Sequence, residues 1–206
     1  MLKQSEPPRK LQGLIGGALA SIPLSPNQWT LLSVLVAVAA ALVIARGGSQ
    51  NELILGLVLF ALSGALDMVD GAVARARGEV TKMGGFIDGV ADRFVEALFL
   101  FSFMFYPLPT VLVDPKIWLA SLVFLGTCMP SFIRAYADHK EVISKERANA
   151  LGGVFERSER IILLVIGLMA ALIWGMEFFV FSVIAASVLS LVTIIQRLAA
   201  IRAGQS

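Results

Sequence analysis

Six apolar runs punctuate the chain, and each is close to the length needed to cross a lipid bilayer. They extend from about Trp29 to Ala45, Leu53 to Ala76, Gly85 to Tyr106, Ile117 to Tyr136, Arg157 to Trp174 and Phe178 to Leu198. A helix needs ~20 residues to cross ~30 Å of hydrocarbon. With 57% hydrophobic residues and a mean hydropathy of +0.82, the 206-residue chain falls outside the range of soluble domains. The pattern predicts an all-α polytopic membrane protein: one domain, residues 1–206, with six transmembrane helices bundled over 25–206. The single Cys128 excludes an internal disulfide, and its apolar setting predicts a packing role. The single His139, between Asp138 and Lys140, reads as a solvated loop residue and rules out a His-rich zinc site.

Residues 1–24 form a segment of their own. Lys3, Arg9, Lys10 and the Pro7-Pro8 pair begin it, and apolar residues then fall at 11, 14, 15, 18, 19 and 22. A helical stripe beside a basic start predicts an amphipathic helix lying in the membrane interface. Ala18-Leu19-Ala20 resembles a signal-peptide cleavage site, but Gln12, Gly13, Gly16 and Gly17 break the apolar core such a peptide needs. Six spans place both termini on one side. Of the 17 Lys and Arg residues, only Arg46 and Lys116 then fall in the opposite turns. The positive-inside rule makes the side of the termini cytoplasmic. The expected location is the cell membrane, with the turn between the second and third spans facing the cytoplasm and no nucleic-acid partner.

That turn carries the chemistry. Four aspartates flank it: Asp67 and Asp70 (i, i+3) share one helical face, and Asp88 and Asp92 (i, i+4) share another. Each carboxylate costs roughly 2.5–3.5 kcal/mol at a helix centre on insertion scales, so four together require water or bound cations. Oxygen-only ligands favour Mg²⁺ or Mn²⁺, and four carboxylates on two facing helices suit a pair of ions. Gly71 and Ala74 continue the first acidic stripe, and Gly84 precedes the second. Small residues there leave room for a flat base or for phosphates. Arg75 presents a planar fork suited to phosphate. Gly85-x3-Gly89 also offers a small-residue face for helix packing.

The full spacing is Asp67-x2-Asp70-Gly71-x2-Ala74-Arg75-x8-Gly84-x3-Asp88-x3-Asp92. At all eight fixed positions it resembles the signature of the CDP-alcohol phosphatidyltransferase family. The resemblance implies that an alcohol hydroxyl attacks the lipid-side phosphorus of a CDP-linked lipid and CMP leaves. It implies that Asp67, Asp70 and Asp88 hold two metal ions, with Asp92 completing the second site and acting as general base. Gly71, Ala74 and Gly84 would border the cytidine and Arg75 the diphosphate. Asn27 and Thr30 read first as capping residues, but they also match the family's Pro-Asn-x-x-Thr entry to the first helix, which implies a place near the nucleotide phosphates. Members of the family often pair as homodimers.

The second half resembles the branch that makes phosphatidylinositol phosphate or its archaeal ether-lipid counterpart. Ser131-Phe132-Ile133-Arg134, Glu156-Arg157-Ser158-Glu159-Arg160 and Gln196-Arg197 carry that likeness. It implies that Arg134, Arg160 and Arg197 grip the phosphate of a small phosphorylated alcohol. Arg134 stands where bacterial members usually carry lysine, and Phe132 where they carry tyrosine. All three arginines also fit simple interfacial anchors at helix ends. The readings that compete are phosphatidylglycerophosphate synthesis from glycerol phosphate, a branch joining soluble inositol phosphates, and a cation transporter using the acids as an ion site. The transporter reading leaves Gly71, Ala74 and Arg75 without a role.

Overall fold

The computed structural model describes residues 17–19 and 21–204. The interfacial helix expected over residues 1–24 lies mostly outside the described residues. Ser25-Pro26 opens the first long helix, α1 (Pro26–Ala45). Ser25 Oγ accepts from the Gln28 amide at 3.3 Å, and Gln28 Oε1 accepts from the Ser25 amide at 2.8 Å. This reciprocal cap satisfies two donors that the helix itself cannot. Ser49 and Glu52 repeat it at the start of α2 (Gln50–Arg77). α2 ends at Gly78, whose φ of 70° is the left-handed conformation glycine adopts at little cost. Thr81 then caps α3 (Lys82–Ser102) by accepting from the Gly84 amide at 2.9 Å. The short turn between the two acidic stripes is thus fixed at both ends.

Residues 103–114 are a non-helical connection, as Pro107, Pro109 and Asp114 predict. α4 follows over Pro115–His139, but it is not one regular helix. Val123–Cys128 forms a π turn inside it, and the Met129 amide donates to the Phe124 carbonyl, five residues back. Pro130 gives the physical reason. It has no amide to donate, and in an α-helix its ring would strike the Gly126 carbonyl. The charged connection after α4 contains a short helix, α5 (Lys145–Ala150), and the chain closes with α6 (Arg157–Trp174) and α7 (Glu177–Ala203).

All the regular elements among the described residues are helices. Four are long and apolar enough to cross a membrane: α1, α2, α4 and α7. α3 and α6 are also long, but α3 carries Lys82, Asp88, Asp92, Arg93 and Glu96, and α6 carries Arg157, Glu159 and Arg160. Cys128 is exposed within the π turn and does not pack into the protein, contrary to its apolar sequence setting. Gly85 and Gly89 likewise have no described atom within 4 Å of where a Cβ would stand.

The helices group into two compact units that divide between Tyr106 and Pro107. In the first, Trp29 of α1 packs with Val69 and Val73 of α2. Arg77 fastens the non-helical segment before α1 to the end of α2, donating to the carbonyls of Leu24 (2.8 Å) and Ile22. Phe60 of α2 meets Phe99 of α3 edge to face at 5.1 Å. In the second unit, α6 and α7 approach closely at Gly167. A Cβ there would overlap the Ser182 side chain and lie 3.3 Å from the Phe178 carbonyl oxygen. Gly167→Ala should therefore lower stability by about 1–3 kcal/mol. The check is the melting temperature of detergent-purified protein, with Gly64→Ala as the control that should not lower it, because no described atom lies within 4 Å of its Cβ position.

Candidate active site

The end of α2, the start of α3 and the start of α1 enclose a cavity of about 500 Å³. α1 contributes Asn27 and Thr30, and α2 contributes Asp70, Gly71, Ala74 and Arg75. Gly84 and Asp88 come from α3. All six positions assigned from sequence to the CDP-lipid thus line one space, together with two of the four aspartates. The sequence reading missed Ser25, Pro26, Glu79, Val80, Thr81 and Gly85, which also line it. Ser25 and Thr81 carry a signal as helix caps, but a cap by itself does not announce a cavity wall.

Asp70 is buried at 5% exposure, as is Thr30. The Thr30 hydroxyl donates a hydrogen bond to the Asp70 carboxylate, and it also lies 3.2 Å from the Pro26 carbonyl oxygen. A threonine near the start of α1 thereby supplies a partner to a carboxylate 40 residues away. The pairing matters because an unpartnered buried carboxylate is strongly disfavoured. Gly71 has a separate reason. A Cβ on it would lie 3.2 Å from Arg75 Nη1, so glycine lets the guanidinium fold back over α2 at the cavity wall. At Gly84 a Cβ would press on Thr81 Oγ1 at 3.1 Å.

Asp67, Asp70 and Asp88 each place a carboxylate oxygen within 4.8 Å of the other two. Three hard oxygen donors converging from two helices are a suitable ligand set for Mg²⁺ or Mn²⁺. Asp92 is not one of this group. It lies one turn further along α3, about 6 Å in axial rise, and its carboxylate is 3.7 Å from the neighbouring Arg93 guanidinium.

The three arginines assigned to the acceptor belong to the second unit. Arg160 and Arg197 are buried, at 3% and 4% exposure, whereas Arg134 is exposed. Arg197 Nη2 binds both carboxylate oxygens of Glu156, at 2.9 and 2.7 Å, and Nη1 donates to the Pro130 carbonyl. Arg160 stands one turn after Glu156 in sequence and Arg134 one turn after Pro130. Burial at this depth does not fit arginines whose task is to anchor a helix end in lipid headgroups.

The CDP-alcohol phosphatidyltransferase family model matches residues 23–201. The chain belongs to this family. Among curated relatives, the archaetidylinositol phosphate synthase of Pyrococcus horikoshii is 34% identical over 184 residues, covering 89% of this chain and 86% of that protein. The enzyme of the same name from Methanothermobacter thermautotrophicus is 32% identical over 182 residues, covering 86% of this chain and 83% of that protein. Crystal structures of Mycobacterium tuberculosis phosphatidylinositol phosphate synthase share the fold. The manganese and citrate complex and the form with CDP-DAG bound both superpose with a TM-score of 0.75, at 23% and 24% identity. They cover 93% of this chain in each case, and 88% and 94% of the respective crystal chains. This protein is therefore an enzyme of phospholipid biosynthesis, a CDP-alcohol phosphatidyltransferase.

The contact between Thr30 and Asp70 can be tested apart from turnover. Thr30→Val keeps the shape and removes the hydroxyl, leaving a buried carboxylate without that partner. A loss of about 1–3 kcal/mol is expected, read as a lower melting temperature in metal-free buffer.

Proposed function

We propose that this enzyme transfers the phosphatidyl or archaetidyl group of a CDP-linked lipid to inositol phosphate and releases CMP. The observation that carries this reading is the cavity lined by Asn27, Thr30, Gly71, Ala74, Arg75 and Gly84 beside Asp70 and Asp88. It joins a space for a nucleotide to an acidic group fit for metal. The names of the curated relatives, archaetidylinositol phosphate synthases, support the choice of acceptor.

In this reading Asp67, Asp70 and Asp88 hold two divalent ions, Mg²⁺ or Mn²⁺, with Asp92 completing the second site. The manganese in the M. tuberculosis crystal structure supports an ion of this class. When bound, such ions neutralise charge on the transferring phosphoryl group and on the CMP leaving group. Gly71, Ala74 and Gly84 border the cytidine, and Asn27, Thr30 and Arg75 lie along the diphosphate. The acceptor hydroxyl oxygen attacks the lipid-side phosphorus, its proton passes to Asp92, and the bond from that phosphorus to CMP breaks. Arg134, Arg160 and Arg197 take the acceptor's phosphate.

The proposed membrane form is one domain of six transmembrane helices over 25–206, with α3 and α6 as the two charged spans and residues 1–24 in the interface. The acidic turn and both termini face the cytoplasm, and two copies pair as a homodimer. The placement of Lys and Arg supports this orientation. It also lets a water-soluble nucleotide and acceptor reach the acids.

The deciding assay measures CMP release with inositol phosphate, glycerol phosphate, serine and free inositol in parallel, using ester- and ether-linked CDP-lipids. Inositol phosphate should give the highest kcat/KM. Preference for glycerol phosphate would replace the acceptor assignment with phosphatidylglycerophosphate synthesis. Two variants test named roles. Asp92→Asn should lower kcat by the 10²–10⁴-fold typical of losing a general base, with CDP-lipid binding largely kept. Near wild-type turnover in that variant removes the base assignment. Arg160→Ala should raise the acceptor KM by roughly 10–100-fold, the worth of one charge-assisted hydrogen bond, while the KM for CDP-lipid stays unchanged. An anchoring arginine would instead lower yield and melting temperature with both KM values intact.

A further inference from the structure

The residues before α6 form a strap fastened along one face of α7. Thr193 Oγ1 accepts from the Phe155 amide at 3.1 Å and lies 3.2 Å from the Phe155 carbonyl oxygen, to which it donates. Gln196 Oε1 accepts from the Val154 amide at 3.0 Å. Gly153 lies so close to Thr193 that a Cβ on it would overlap the threonine side chain. Thr193, Gln196 and Arg197 share a face by their i, i+3, i+4 spacing. The strap is thereby registered on α7, and its last residue, Glu156, is delivered onto Arg197.

How the two side chains meet is informative. An arginine has two bidentate forks for an oxyanion, Nε with Nη2 and Nη1 with Nη2, and both require Nη2. Glu156 places both of its oxygens on Nη2. Nε is buried without a hydrogen-bond partner. The Nε–Nη2 fork is therefore half occupied and becomes complete once Nη2 is released. Exposure is unequal: the Glu156 side chain is 39% exposed and that of Arg197 is 5% exposed. Arg197 is also held from its other side by the Pro130 carbonyl. If an exchange occurs, the carboxylate moves into water and the guanidinium stays.

We infer that Glu156 is an internal stand-in for the acceptor's phosphate. It keeps the buried charge of Arg197 paired while the acceptor site is empty, yields Nη2 to the incoming phosphate, and returns when the product leaves. The logic is that a buried guanidinium without an anion is costly, whereas a carboxylate already partly in water loses little on release. This rests on the reading of Arg197 as an acceptor-phosphate residue. The chemistry recognised is a phosphate monoester, whether on the acceptor or free as inorganic phosphate.

The test is Glu156→Gln in the purified full chain, with inorganic phosphate as a competitive probe alongside inositol phosphate. Removing the competing charge should lower both the acceptor KM and the inhibition constant of phosphate by about two- to fivefold, the size of one partly exposed ion pair. The KM for CDP-lipid should not move. Glu156→Asp, too short to keep both oxygens on Nη2, should shift the same two constants in the same direction by less, and it serves if the glutamine variant does not fold. A raised acceptor KM would make Glu156 a strut that positions Arg197 and overturn the stand-in. Unchanged constants with only a lower melting temperature would reduce it to a structural pair and overturn it as well. Arg197→Ala separates the two levels. If that variant keeps a normal acceptor KM, the acceptor reading at Arg197 fails. If its KM rises while Glu156→Gln lowers nothing, only the stand-in fails.

Discussion

A charge on a helix built for hydrocarbon survives only beside a partner, an ion or water, and both units of this protein are arranged around that constraint. In the first, a carboxylate at 5% exposure is met by the Thr30 hydroxyl, and two more carboxylates approach it from α2 and α3. In the second, the guanidinium of Arg197 is buried on α7 and receives a carboxylate from one segment and a carbonyl from another. The partners come from distant parts of the chain in both cases. Pairing a buried charge therefore also dictates which elements pack together. Removing one partner of such a pair costs more than the pair itself contributes, because the other charge stays behind.

Close approach of backbone is the second theme, and it serves the first. Glycine at Gly71 lets Arg75 lie against α2, and glycine at Gly153 lets the strap reach Thr193. Gly126, in the π turn of α4, would meet the Arg160 side chain at 3.0 Å and Ser190 Oγ at 3.2 Å if it carried a Cβ. Pro130 forces that turn, and the carbonyl of Pro130 is the one that accepts from Arg197. A residue that breaks regular helix geometry thus stands directly beside a buried cation.

Much of the local structure was legible in the chain. Ser25, Ser49 and Thr81 are capping residue types at three helix starts, and Gly78 is one at the end of α2, signals that stay local because capping depends on residues only a few positions apart. The run lengths located the long helices. What was missed has one common cause. Cys128 looked like a packing residue because its neighbours in sequence are apolar, yet an apolar run intended for lipid exposes many of its side chains. The π turn followed from Pro130, but Pro130 inside a hydrophobic run is equally compatible with a kink or a break.

By itself the sequence determined the family, the acidic motif and the chemistry that motif can support. Those depend on residue identity at fixed short spacing, which a helix translates directly into shared faces. Only the tertiary structure decided that Thr30 meets Asp70, that the six nucleotide-side positions converge on one cavity, and that Glu156 occupies Arg197. These contacts join residues about 40 positions apart on different elements. Hydrophobic periodicity states which side of a helix is apolar, but not which helix it meets or at what height. That choice is made by packing, where glycines allow close approach and buried charges must find their partners.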